Sequence, residues 1–318
     1  MTVPQFHDLR ERTLHSLHAA ENPRKIVLVH TGLVLLVSLL LAFIDYLLEQ
    51  QIGGTGGLSG IGKRTALETA QSVLYLARSV ALPFWQMGYL YYTLKIAQGE
   101  QAGVPSLCEG FFRFGGVLRL KLLMAGILLL VMFASSYVAS AIFMVTPWSQ
   151  PLMDMLMTSM SGATDAESLM QSYESLSLST VAPMMIIYVI VLIVLVIPVY
   201  YRYRMADLWL MDHPGCSAMA ALHNSRKMMR GNCMAVFKID LHFWWFFVLD
   251  LLISLVNYGD LLLTQLGIPL PFDANVAFLL FLGAYLILQM ALYLWKQNEI
   301  NVTYAHVYEA LKPQEEDM

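Results

Sequence analysis

Apolar residues along this chain gather in long unbroken runs, and the runs set its architecture. Six of them, 26–48, 73–95, 118–145, 181–201, 241–263 and 276–296, reach the roughly 20 helical residues needed to cross a bilayer core about 30 Å thick. The run VAPMMIIYVIVLIVLVIPVYY at 181–201 shows no polar–apolar alternation, which excludes the strands of a membrane barrel and leaves helices. Between runs four and five the period changes. At about 100° per residue, Ala218, Ala221, Leu222, Ser225, Met228 and Met229 fall on one arc, while His223, Arg226, Lys227 and Arg230 fall on the opposite arc. Ser217 suits the N-cap of this helix, the turn Asp212-His213-Pro214-Gly215 precedes it, and Gly231-Asn232 offers the left-handed exit.

Two further segments share this character. In residues 4–18, Phe6, Leu9, Thr13, Leu14 and Leu17 line one side, and after Lys95 the stretch QGEQAGVPSLCEGFFRFGG combines a Pro/Gly turn with a short apolar stripe. Each such segment precedes a run: the first, the third or the fifth. This suggests three repeats of an interfacial helix plus a transmembrane hairpin. The expected fold is all-α: one six-helix membrane domain over 1–318, with amphipathic helices lying in the cytoplasmic interface. The longest hydrophilic excursion, 146–180, is expected on the outer surface. It carries Asp154, Asp165, Glu167 and Glu174 without Lys or Arg, and Met153, Leu156, Met157 and Met160 have helical spacing. Those acids lack the alternating ligand spacing of a calcium loop.

Composition and charge sharpen this picture. Hydrophobic residues make up 58% and charged residues 13%, against roughly half and a quarter in soluble domains, and mean hydropathy is +0.59. With the N-terminus inside, sixteen of the nineteen Lys and Arg fall on the cytoplasmic side. The outer side keeps Lys63 and Arg64, and Arg78 lies within a run. This asymmetry predicts both termini in the cytoplasm. No small-residue cleavage site follows the first run, so it is expected to be retained. Cys108, Cys216 and Cys233 all fall in cytoplasmic segments, and no disulfide is expected.

Candidate chemistry is sparse. Asp250 falls about 14 Å into the fifth run, near mid-membrane, with Asn257 seven residues on and on the same face. A carboxylate there costs on the order of 2.5–3.5 kcal/mol by insertion scales, so it must face protein or water. It is either a functional polar site or a buried neutral Asp bonded to Gln86 or Gln289. Asp45 and Arg78 sit at similar depths in runs one and two and are expected to pair. The arc His223, Arg226, Lys227 and Arg230 has two readings: contact with anionic lipid of the inner leaflet, or an internal strut binding Asp207, Asp212 or Asp240. His15 and His18 make only two ligands, so no metal is expected. The outer loop IGGTGGLSGIG has no preceding strand and is no phosphate loop. Neither HExxH, GxSxG nor a dinucleotide fingerprint occurs, no cofactor is expected, and the basic residues track the membrane face, which argues against nucleic acid.

The segments YRYRMADLWLMDHP, NSRKMMRGN and FKIDLHFWW, with LKIAQGE, GFFRFG and the closing NVTYAHVYEAL, resemble the bacterial integral-membrane family known as domain of unknown function nine-seven-five, over nearly the whole chain. The resemblance implies a six-helix protein of the bacterial plasma membrane and brings no activity or catalytic residue. Two functions remain open: a non-catalytic scaffold, lipid-interacting protein or accessory subunit, or a solute or lipid translocator with a polar site around Asp250. The first is favoured, because matched broken helices in two halves are not evident. The expected partners are membrane lipids, anionic ones in particular, and other membrane proteins.

Overall fold

Each apolar run forms helix because a chain stripped of water must satisfy its backbone hydrogen bonds internally. The computed structural model describes residues 3–53, 61–150, 153, 157, 178–259, 263 and 274–313, and no strand occurs among them. In order come α1 (Phe6–Ala19), α2 (Pro23–Gly53), α3 (Ile61–Ala97), a 3-10 turn (Val104–Cys108), α4 (Glu109–Phe112) and α5 (Phe114–Met144). Then follow α6 (Leu178–Tyr203), α7 (Ala206–Asp212), α8 (Ala218–Met229), α9 (Cys233–His242), α10 (Trp244–Val256) and α11 (Ala274–Leu311).

Among the described residues, four stretches are long and apolar enough to cross a membrane, in α2, α5, α6 with α7, and α11. A fifth is added if α9 and α10 count as one bent span. The 73–95 run lies wholly in helix α3 but is not among them.

The 241–263 run departs from expectation. The chain breaks at Phe243, and α9 and α10 meet at 61°. Tertiary contacts hold the break. Phe6 of α1 stacks on His242 at 4.0 Å and meets the edge of Phe243 at 5.5 Å, while Tyr304 of α11 donates to Asp240 one turn earlier. Asp250 lies about 9 Å of helix past the start of α10 at Trp244.

The chain divides into two units: residues 1–120 with 205–318, and residues 121–204. In the second unit α6 leaves long apolar side chains open, Val194 at 61% and Ile186 at 58% exposure. Water would penalise such a surface heavily, and lipid would not.

The first unit is organised around α11, which packs on α1, α2, α3 and α10. Its core joins Ile26 and Val27 of α2, Tyr89, Tyr92 and Ile96 of α3, Leu107, and Val302 of α11. The three short segments expected at the interface each dock on a helix of this same unit. The α1 helix lies on α11 through Thr13–Thr303 (3.2 Å) and Ser16–His306 (3.1 Å). Residues 104–112 lie on α3, and α8 lies on α7. The middle docking is the tightest. A Cβ on Gly88 would stand 1.8 Å from the Leu107 carbonyl oxygen, and one on Gly110 would stand 2.0 Å from that of Phe84. Only glycine permits this backbone-to-backbone approach.

Candidate functional site

Three polar arrangements in the first unit stand out. The first is α8. Ser217 caps it, accepting from the Ala220 N–H at 3.2 Å, so the expected start is realised. Ala218, Ala221, Leu222, Ser225, Met228 and Met229 are buried, and the Ser225 hydroxyl accepts from the Met205 N–H at 3.2 Å. His223, Arg226, Lys227 and Arg230 are exposed. The greasy arc is thus spent on protein, chiefly α7, and is not laid into lipid. The strut reading describes this half of the helix. Of the three acids that reading offered to the basic half, Asp207, Asp212 and Asp240, the second is engaged by Lys312, Tyr308 and Gln98 and the third by Tyr304.

The second arrangement is built on Asp212, where three helix ends meet. Lys312 Nζ from α11's end lies 2.6 Å from Asp212 Oδ2, Tyr308 Oη donates to the same oxygen at 2.8 Å, and Gln98 Nε2, just past α3, donates to Oδ1 at 3.0 Å. Gln98 also reaches Glu309 at 2.8 Å. Asp212 lies beyond the apolar run 181–201. Burial pushes its carboxyl up, but the hydrogen bonds from Lys312, Tyr308 and Gln98, with the Lys312 charge, outweigh this and hold it below the ordinary value of 3.8. Next to it, Arg113 Nη1 donates to the Met211 carbonyl at 2.6 Å and the Leu210 carbonyl at 3.4 Å, covering carbonyls at the C-terminal end of α7.

The third is Asp250. Gln289 Nε2 donates to Asp250 Oδ1 at 2.6 Å, and Tyr293, one turn further along α11, has its hydroxyl beside both groups. Tyr285, one turn before Gln289, lies in the field of Asp250, Arg78 and Tyr258. Of the two glutamines offered to Asp250, the structure brings Gln289 to it; Gln86 is exposed on α3. Asn257, seven residues past Asp250, is the C-cap of α10 and keeps helical backbone geometry. The tyrosines were missed, although Tyr285, Gln289 and Tyr293 recur every fourth residue in an otherwise apolar run, which is the signature of one polar stripe.

Arg78 donates to Ser38 Oγ at 3.4 Å. The side chain of Asp45 and most of the 146–180 loop lie outside the described residues. Cys108, Cys216 and Cys233 are free thiols. Between α2 and α11 runs an open groove of about 500 Å³ lined only by apolar side chains, among them Leu35, Leu39, Met290 and Leu294.

The architecture is that of an all-helical protein whose long apolar helices are compatible with a membrane protein. The chain belongs to the family described as Protein of unknown function (DUF975), whose model matches residues 8–315. No curated protein and no solved structure matches it.

Proposed function

We propose that this chain is a non-catalytic, multipass protein of the bacterial plasma membrane, with six spans and both termini in the cytoplasm, that holds a basic face against anionic lipid of the inner leaflet and serves as a scaffold or accessory subunit. One observation carries this reading. The apolar arc of α8 is buried in protein while His223, Arg226, Lys227 and Arg230 on the other arc are exposed, so the cations are presented on a rigid support. Ordering such long side chains on a fixed helix costs less than ordering a flexible basic tail. Each Lys or Arg near the surface contributes roughly 1 kcal/mol of attraction to anionic lipid, so three give about 3 kcal/mol before salt screening. The apolar groove between α2 and α11 would accept an acyl chain of the same layer.

The test replaces Arg226, Lys227 and Arg230 together by Gln in the full chain. Native mass spectrometry should then show loss of preferential anionic-lipid retention, with the thermal midpoint within about 1 °C of the wild type. Unaltered retention with a midpoint lowered by several degrees would sink the lipid reading and leave α8 an internal strut. The topology has its own check. With a membrane-impermeant thiol reagent in intact cells, G56C and S168C should label while Cys216 does not.

A further inference from the structure

The Asp250 cluster is incomplete in a specific way. Gln289 is only 4% exposed. Its Nε2 is spent on Asp250, and its Oε1 is buried with no hydrogen-bond partner. A buried acceptor left unmade carries its full desolvation cost and calls for an explanation. The neighbouring Tyr293 hydroxyl interacts with both Asp250 and Gln289, and the amide oxygen is still left without a donor. Arg78, the cation whose field reaches Tyr285, is bonded to Ser38 instead. Among the described residues the cluster therefore holds a carboxylate, an orphan carbonyl and a phenol oxygen, and no Lys or Arg is bonded to the carboxylate.

We propose that Asp250, Gln289 and Tyr293 form a binding site for a hard monovalent cation of the sodium class, held by the Asp250 carboxylate, the Gln289 Oε1 and the Tyr293 Oη. The chemistry selects this class. All three ligands are oxygens, which suit a hard ion, and no group of three or more His, Cys, Asp and Glu occurs among the described residues to serve a softer or more highly charged one. Charge balance selects the valence. One cation neutralises one carboxylate, whereas a divalent ion would leave a net charge in an apolar setting where unpaired charge is expensive. Asp250 itself is half-buried, so protein does not seal its carboxylate on every side. The site does not depend on the basic face of α8.

The full chain, purified in detergent at one pH, is compared in choline, sodium, lithium and potassium chloride at equal ionic strength. Sodium should raise the thermal midpoint saturably, by about 3 °C or more over choline, and radioactive sodium should bind at about one ion per chain and be displaced by excess unlabelled sodium. D250N and Q289L should abolish both effects, and Y293F should weaken apparent affinity several-fold. D250N and Y293F keep the side-chain shapes, so they carry the test if Q289L does not fold. Equal midpoints in sodium and choline without saturable binding would overturn the proposal. So would a sodium effect that survives D250N, or a midpoint that follows pH alone and ignores the cation, which would make a proton the occupant.

Discussion

Asp212 and Asp250 belong to one helical unit and are both partly buried, yet their surroundings treat the same carboxylate in opposite ways. Asp212 is met by an ammonium, a phenol and an amide from two other helix ends, Lys312, Tyr308 and Gln98. Asp250 is met by the Gln289 amide and the Tyr293 hydroxyl, and the amide's own oxygen is left without a donor. A carboxylate closed on all sides by cation and donors is a joint. One with an acceptor left open beside it has room for a ligand. The Asp212 joint is also where the ends of α3, α7 and α11 come together.

The contrast can be broken most severely from a distance. A Cβ on Gly110 would meet the Phe84 carbonyl oxygen at 2.0 Å, so G110V should push residues 104–112 off α3 and carry Arg113 away from the carbonyls of Leu210 and Met211 beside Asp212. The expected loss is on the order of 3 kcal/mol or more, read as a drop of several degrees in the thermal midpoint. An unchanged midpoint would mean that this segment does not hold the joint.

Next in size is D212A, which strands the Lys312 ammonium and should cost about 2–3 kcal/mol, with D212N costing less because an amide still accepts from Tyr308 or Gln98. The joint also has a pH signature. The folded-state pKa of Asp212 lies below its ordinary value of 3.8, so the folded protein binds this proton less readily than the unfolded chain. Its stabilising contribution is complete above about that ordinary value and is lost as the pH falls through the lower folded value. The acid limb of the wild-type stability curve should accordingly be steeper than that of D212N; parallel acid limbs would remove Asp212 as the source.

The smallest effect is expected at the open carboxylate. In choline, D250N should change stability by about 1 kcal/mol or less, because Asn keeps an acceptor for Gln289 Nε2 and adds a donor able to satisfy Oε1. If D250N costs as much as D212A, the two carboxylates are equivalent joints and the contrast is gone.

Much of this was legible in residue order. Both arcs of α8, its Ser217 cap and the residues that bury were read from periodicity, because burial of an amphipathic helix follows its apolar arc wherever the partner lies. The pairing of Asp250 with a glutamine was legible as a class, since a carboxylate in an apolar run must find a donor. Which glutamine it finds was not, because Gln86 and Gln289 are equivalent as residues and differ only in the helix that faces α10. The partners of Asp212 were missed for a related reason. Gln98, Tyr308 and Lys312 are separated from it by roughly a hundred residues of chain, and nothing local distinguishes them from solvated residues at helix ends.

Local physics therefore accounts for helix as the only element among the described residues, for the approximate limits of the long apolar helices and for the sidedness of α8, because backbone satisfaction and hydrophobic periodicity are properties of short segments. Long-range packing decided that α8 lays its apolar arc on α7, that the run 241–263 breaks at Phe243 under Phe6, and that residues 104–112 press backbone to backbone on α3 at Gly88 and Gly110. Those outcomes depend on which surfaces meet across the fold, and in a chain with this many apolar helices many faces are chemically acceptable to one another; shape and the few polar bonds among them select the arrangement.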